Sequence, residues 1–365
     1  MSIQPGLVVL FGSGETSASG RRVYDRLLRH LAAPIRAVVL ETPAGFEPNS
    51  AQVAGRVADF LRQRLQNYQP QVTIVPARKR NTPFSPDDPH IVGPLLDANM
   101  IFTGPGSPTY AVRQLQGSLA WHYLIARHRL GATVVLASAM AIAASACALP
   151  VYEIYKVGED PHWKPGLDFF GPYGLSLAFI PHWNNAEGGA DLDTSRCFMG
   201  QPRFEQLRDM LPPEVTIVGL DEHTALIMDL AAGRCRVMGA GAVTLLRRGV
   251  ELRRESGQIF PATELGCFHL PEPGAGLPPD VWQAVRAAQA RPAASPEAQP
   301  PSQVLALVAE REAARARGDW QVADALRAQI EAHGWRISDT PQGPRLDAMD
   351  SEAEATGPAS SPADP

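Results

Sequence analysis

An α/β domain, with a mostly parallel sheet covered by helices on both faces and a small C-terminal α-helical hairpin after it, is the fold class this sequence predicts. Three observations lead there. Between Leu7 and about Leu246, short Val/Leu/Ile-rich runs alternate with longer helix-like stretches. Those runs are continuously apolar, as in strands buried on both faces. A Pro/Ala/Ser-rich segment, residues 291–302, then separates them from a last periodic stretch, as a semi-rigid linker would.

Taken in order, the strand-like runs are LVVLF, AVVLE, VTIVPA, MIFTG, TVVLA, LSLAFI and VTIVGLD. Between them, SGRRVYDRLLRHL and SAQVAGRVADFLRQRLQ space their apolar residues by three and four behind the candidate caps Ser19 and Ser50, the pattern of covering helices. After Cys235, glycines interrupt CRVMGAGAVTLLRRGVEL, which predicts an antiparallel edge or β-extension. PPDVWQAVRAAQA closes the domain as a helix. The expected boundaries are a main domain over 1–290, a linker over 291–302, a helical hairpin over 303–346 and a disordered tail over 347–365, with no internal repeat. Gly318 and Asp319 break the hairpin and Gly334 ends its second helix.

The chain has 365 residues, 45% of them hydrophobic, enough for a sizeable core. With 33 basic and 38 acidic residues and a net charge of −5, nothing chain-wide calls for a polyanionic partner, so nucleic acid is disfavoured. Cys147, Cys197, Cys235 and Cys267 are too dispersed for a metal knuckle and too few for a disulfide scaffold. No basic leader precedes the first apolar run and no run reaches the ~18 residues of a membrane span. A cytoplasmic protein with no membrane partner is expected.

In open α/β sheets, reactive groups gather at the carboxyl ends of strands. Three loops meet that condition: FTGPGSPTYAVRQL, LASAMA and IPHWNNAEGG. They supply a candidate nucleophile, Ser138, and a candidate general base, His182. Oxyanion donors would be the N–H groups of Ala139 and, since Pro105 and Pro108 have none, of Gly106 or, as second choice, Ser107. A carboxylate should orient the histidine; Glu153 and Glu187 are both candidates. The bland alternatives are a buried serine bonded to a nearby carbonyl and a histidine packed beside Trp183. Asp221 and Glu222, in GLDEHTALI, read as turn residues whose charges could line the cleft. Arg196 and Arg203, with Glu187, are candidate substrate-binding residues, a guanidinium being able to clamp a carboxylate bidentately. The HWNN stretch lacks a second histidine at ligand spacing, so no metal is expected. No cofactor is expected either.

Across roughly Leu7 to Arg247 the motifs FGSGET, FTGPGSPTY, the Ser138 turn, IPHWNN with DTSRCFMGQPRFEQL, and VGLDEHTALI resemble the S51 family of serine peptidases, the cyanophycinases and aspartyl dipeptidases. That resemblance implies a class I glutamine amidotransferase-like, flavodoxin-like three-layer fold. It maps the family's serine and histidine onto Ser138 and His182, and the fifteen-residue step to Glu153 is similar to the dipeptidase arrangement. The expected substrate is a small peptide or amide, cleaved at a peptide or isopeptide bond beside an aspartyl residue. Where the family carries G-x-S-A-G-A, this chain has Leu136 and Met140 in place of the flanking glycines, so a wider gap or a shifted helix is expected around the turn.

Residues 307–346 resemble the C-terminal helical segment of cysteinyl-tRNA synthetases. From Val304 to His333 four arginines meet five acidic residues, a poor electrostatic magnet for RNA. Two rival readings therefore stand beside the hydrolase: a non-catalytic binding protein that kept the cleft, and an adaptor contacting tRNA or a translation partner. A homodimer is compatible with either.

Overall fold

The computed structural model describes residues 4–290, 302–340 and 343–348. Two compact units divide at Ala290, residues 1–290 and residues 291–365. In chain order the first unit contains β1 (Leu7–Phe11), α1 (Ala18–Leu28), β2 (Arg36–Leu40), α2 (Ser50–Arg64), β3 (Gln71–Val75), α3 (Pro89–Val92), β4 (Met100–Thr103), α4 (Pro108–Leu115) and α5 (Leu119–Arg129). β5 (Thr133–Ala137), α6 (Ala139–Ala143), β6 (Cys147–Ala148), β7 (Lys164–Pro165), β8 (Leu177–Ile180), α7 (Ser195–Phe198) and α8 (Gly200–Asp209) follow. The remainder is β9 (Thr216–Leu220), β10 (Thr224–Asp229), β11 (Arg234–Gly239), β12 (Ala242–Arg247), β13 (Val250–Glu255), β14 (Ile259–Pro261) and α9 (Pro279–Ala290).

Eight strands form the large sheet in the order β14-β11-β10-β1-β5-β4-β2-β3. The run β1-β5-β4-β2-β3 is parallel, whereas β10, β11 and β14 pair antiparallel; of the glycine-punctuated stretch after Cys235, β11 lies at this antiparallel edge, while β12 and β13 pair antiparallel in a second sheet. One detail differs from expectation. β8 and β9 do pair in parallel, but in that second sheet, of order β13-β12-β9-β8.

Alternate strand residues feed different cores. Val9, Phe11, Val135 and Ala137 join Val23, Leu27, Val57 and Leu61 of α1 and α2 on one face. Val8, Leu10, Val134 and Leu136 join α4, α5 and α9 residues on the other, together with Phe179, Val218 and Leu245 of the second sheet. A third cluster packs the far side of that second sheet, Ile180 and Ile217, against Phe204 and Leu207 of α8. Strands buried on both sides must be apolar at every position, which is why the strand runs were legible.

The helix starts need correction by one or two residues. Ser17, not Ser19, caps α1, accepting from the Gly20 N–H at 3.3 Å; α2 begins at Ser50 with Asn49 in the capping position.

The second unit is described by itself. α10 (Ser302–Ala316) and α11 (Trp320–Ala332) form the expected hairpin, broken at Gly318 (φ 76°) with Asp319 capping α11. The expectation of helix alone fails beyond Gly334, where β15 (Trp335–Thr340) and β16 (Gly343–Ala348) pair antiparallel. Trp335 and Ile337 are buried with Val304 and Ile330 while Arg336 and Ser338 are exposed, the two-residue alternation of a half-covered ribbon. The linker, save Ser302, and residues 349–365 of the tail lie outside the described residues. No helix of the described residues is long and apolar enough to cross a membrane.

Candidate functional site

The site is built where strand ends from both sheets converge. Phe11 ends β1 and is paired with Ala137 of β5; its carbonyl accepts the Ser138 N–H at 3.1 Å. The next carbonyl, Gly12, accepts the His182 N–H at 3.3 Å. Two consecutive peptides of one strand end therefore hold both Ser138 and His182. Close approach requires glycine here: a Cβ on Gly12 would collide with the carbonyl oxygens of Asp221 and Leu220. Gly12→Ala should thus push the loops apart and lower Ser138 reactivity by about a hundredfold, as a ~1 Å misplacement does. An active-site titration alongside a melting curve checks this; unchanged reactivity would show the approach is not needed.

Ser138 stands on a sharp strand-to-helix turn with φ 50° and ψ −113°. A non-glycine residue there costs on the order of 1–3 kcal/mol and persists only where its surroundings enforce it. The enforcement is visible: besides the Phe11 bond, the Ser138 carbonyl accepts from Ala141 N–H at 3.0 Å and Ile142 N–H at 3.3 Å. The two departures from the glycine pattern are both buried. Leu136 is a paired strand residue between β1 and β4, and Met140 is fully buried in the larger core.

Ser138 Oγ lies 3.0 Å from His182 Nε2. His182 Nδ1 lies 2.9 Å from Glu222 Oε1, and the Asn185 amide donates to the same oxygen at 3.0 Å. The Glu222 N–H in turn donates to Asn184 Oδ1 at 2.7 Å. Burial pushes the Glu222 carboxyl up, but hydrogen bonds from His182 and Asn185 and the positive field of His182 and His223 outweigh it, leaving it below its ordinary value. The carboxylate is thus held ionised against an imidazole whose other nitrogen faces the hydroxyl. A second carboxyl, Glu15 in the β1–α1 loop, is pushed up chiefly by burial, opposed by its backbone hydrogen bond and by the nearby His182 and His223.

Glu153 does not orient the histidine. It sits in a wide turn over Glu153–Val157, where its Oε1 faces Lys164 Nζ at 3.7 Å; Glu222 has the role expected of it. Glu187, the other candidate, is exposed on the loop after His182, with only its N–H bonded, to Asn185 Oδ1. Register explains why Glu222 succeeds. β8 and β9 run parallel with Ile180 opposite Gly219, so His182 and Glu222 emerge two and three residues beyond a matched pair, at the same edge.

The oxyanion candidates also share that edge. Thr103 is opposite Leu136, which sets the Gly104–Ser107 loop beside the Ser138 turn. Gly106 adopts φ 148°, and a Cβ on it would strike the Pro43 carbonyl. Ala139 opens α6, where helix geometry leaves its N–H without an intrahelical acceptor.

Of the substrate-binding candidates, Arg196 is already engaged. Its guanidinium stacks 3.9 Å from the Trp183 ring centroid and donates to the Trp183 carbonyl at 3.1 Å. Arg203 is exposed on α8. Arg196, Cys197 and Phe198 form three consecutive left-handed residues, φ 56°, 59° and 67°, each costing ~1–2 kcal/mol. Two of their N–H groups cap the carbonyls of Trp183 (2.9 Å) and His182 (3.2 Å), and Phe198 stands 6.2 Å from the imidazole, centroid to centroid. That turn fixes the histidine loop from behind. Among the described residues no group of three or more His, Cys, Asp or Glu gathers as metal ligands would.

Fold and site together define a two-sheet α/β unit with a Ser–His–Glu array at its strand ends. Its architecture is similar to that of a solved peptidase from an acI-B1 Actinobacterium, with a TM-score of 0.57 and 20% identity, covering 71% of this chain and 98% of that one. The C-terminal unit has a separate affinity. Residues 299–343 match the family model of the cysteinyl-tRNA ligase anticodon binding domain. Cysteine–tRNA ligase 1 of Burkholderia lata is 51% identical over 49 residues, covering 13% of this chain and 10% of that protein. Cysteine–tRNA ligase of Streptomyces avermitilis is 55% identical over 42 residues, 12% and 9% of the two chains. The chain therefore spans about a tenth of the length of the curated relatives it matches.

Proposed function

We propose that the first unit is a serine-type hydrolase of the S51 kind, cleaving a peptide or isopeptide bond. The observation that carries this is the continuous Ser138–His182–Glu222 hydrogen-bond chain at 3.0 and 2.9 Å on a strained turn. In this mechanism His182 Nε2 removes the hydroxyl proton as Ser138 Oγ attacks the carbonyl carbon, and Glu222 steadies the imidazolium that forms. The N–H groups of Ala139 and Gly106 receive the developing oxyanion. His182 then protonates the leaving amine, an acyl-Ser138 ester remains, and a water deprotonated by His182 releases the acid. A substrate with an aspartyl residue beside the bond would find Arg203 the more accessible of the two arginines.

A fluorophosphonate probe should label the wild-type chain and not Ser138→Ala. Equal labelling of the two, or none of either, would overturn the hydrolase in favour of a binding protein that keeps the cleft.

The likeness of residues 299–343 to an anticodon binding domain supports a second reading for the C-terminal unit alone, an adaptor contact with tRNA or a translation partner. Its near-even charge favours a protein partner over RNA. Filter binding of the full chain to tRNA at low salt tests it; tight, tRNA-selective retention would reverse that preference.

A further inference from the structure

A cavity of about 310 Å³ opens between α1 and the antiparallel edge of the large sheet. Leu7, one of its lining residues, begins β1 and pairs with Asp229. The cavity is therefore at the amino end of β1, the opposite end of the strand from Phe11 and the Ser138 turn. Its apolar lining is the buried Leu27 and Ile227 with the half-exposed Ile259, and Arg26, Arg234 and Arg236 line it as well.

The charges on that lining do not balance. Asp229 is the acidic residue lining the cavity, and Arg234 already holds it at 3.2 Å. The Arg236 side chain makes only a long contact, Nη1 to the Gly257 carbonyl at 3.5 Å, and the Arg26 guanidinium makes no hydrogen bond or ion pair among the described residues. Burial, with Arg26 and Arg234 nearby, holds the Arg236 guanidinium below its usual value. His30, two residues beyond the end of α1, also lines the wall. Like charges brought together over an apolar hollow are a standing electrostatic cost, which an anion between them would remove.

We propose that this cavity is a binding site for a small amphipathic anion, its apolar body on Leu27, Ile227 and Ile259 and its carboxylate or phosphate head between Arg26 and Arg236. The volume lies at the lower end of the ~300–1,000 Å³ range of ligand sites, so a short chain fits better than a drug-sized molecule. A polyanion such as RNA would use the arginines but leave the apolar lining empty.

Calorimetric titration of the full chain with octanoate, octyl phosphate, octanol and inorganic phosphate tests this. Octanoate or octyl phosphate should bind saturably and at least tenfold more tightly than octanol or phosphate alone, and the stronger of the two identifies the head group. Arg26→Gln, on the exposed face of α1, and Arg236→Gln, half-buried on β11, should each weaken that binding about tenfold, while Ser138→Ala leaves it unchanged. Equal affinity for octanol, no saturable binding of either anion, or wild-type affinity in both arginine variants would overturn the site. An RNA hairpin that binds through Arg26 and Arg236 while octanoate does not would overturn it too.

Discussion

Glu222→Gln is expected to lower the rate of Ser138 acylation by about a thousand- to ten-thousand-fold, the scale found when a triad carboxylate becomes an amide. The amide preserves shape, so the fold survives, but it removes the charge that steadies the imidazolium and allows the ring to take the wrong tautomer. Asn185 donates to the same oxygen of Glu222; an amide that turns its NH₂ towards it would add a donor-to-donor clash. Glu153→Gln should change the rate by no more than a few-fold, because its carboxylate faces Lys164 rather than His182. Stopped-flow labelling with the fluorophosphonate separates the two variants. Comparable rates in both, or a large loss in Glu153→Gln alone, would return the orienting role to Glu153.

That contrast also marks where sequence reasoning ends. The strand runs were readable because burial on both faces leaves an unbroken apolar pattern, as in LVVLF and TVVLA, and Ser138 and His182 were readable because each directly follows such a run. Glu222 follows one too, two residues beyond Leu220, and that was the available signal. What no single sequence shows is that β8 and β9 leave the large sheet and pair with each other, which aligns Ile180 with Gly219 and decides which carboxylate meets the histidine. Fifteen residues between Ser138 and Glu153 is a chain distance, and it carries no information about which strand edge a loop reaches. Gly12 was visible only as part of a motif, since its reason is a carbonyl of the Asp221 turn more than two hundred residues away. The C-terminal ribbon is hidden for a different cause: WRIS alternates with a period of two over only four residues, directly after a helical run.

The largest pH effect on stability should come from a histidine away from the Ser138–His182 pair. His128, on α5, is fully buried, with Nε2 3.0 Å from the Tyr173 hydroxyl and the Phe169 ring tilted against it, centroids 5.1 Å apart. Burial first, and then the neighbouring Arg129, push its value down to about 3. The folded chain consequently keeps the ring neutral where the unfolded chain takes up a proton, near the ordinary value of about 6.5. Between those two values the unfolded state binds more protons, so stability falls as pH falls from about 6.5 toward 3, at up to ~1.4 kcal/mol per unit, and is indifferent to this group above 6.5. At pH 4.5 the loss from His128 alone approaches ~3 kcal/mol, a large share of the 5–15 kcal/mol typical of a folded chain. His128→Gln keeps a polar partner for Tyr173 and removes the titration. Urea unfolding at pH 7 and pH 4.5 should show the variant less stable at neutral pH by ~1–2 kcal/mol yet losing markedly less on acidification, so that the two curves converge or cross. Parallel curves would mean that the ring is hydrated or already paired with an acid, and that its burial does not govern the acid limb.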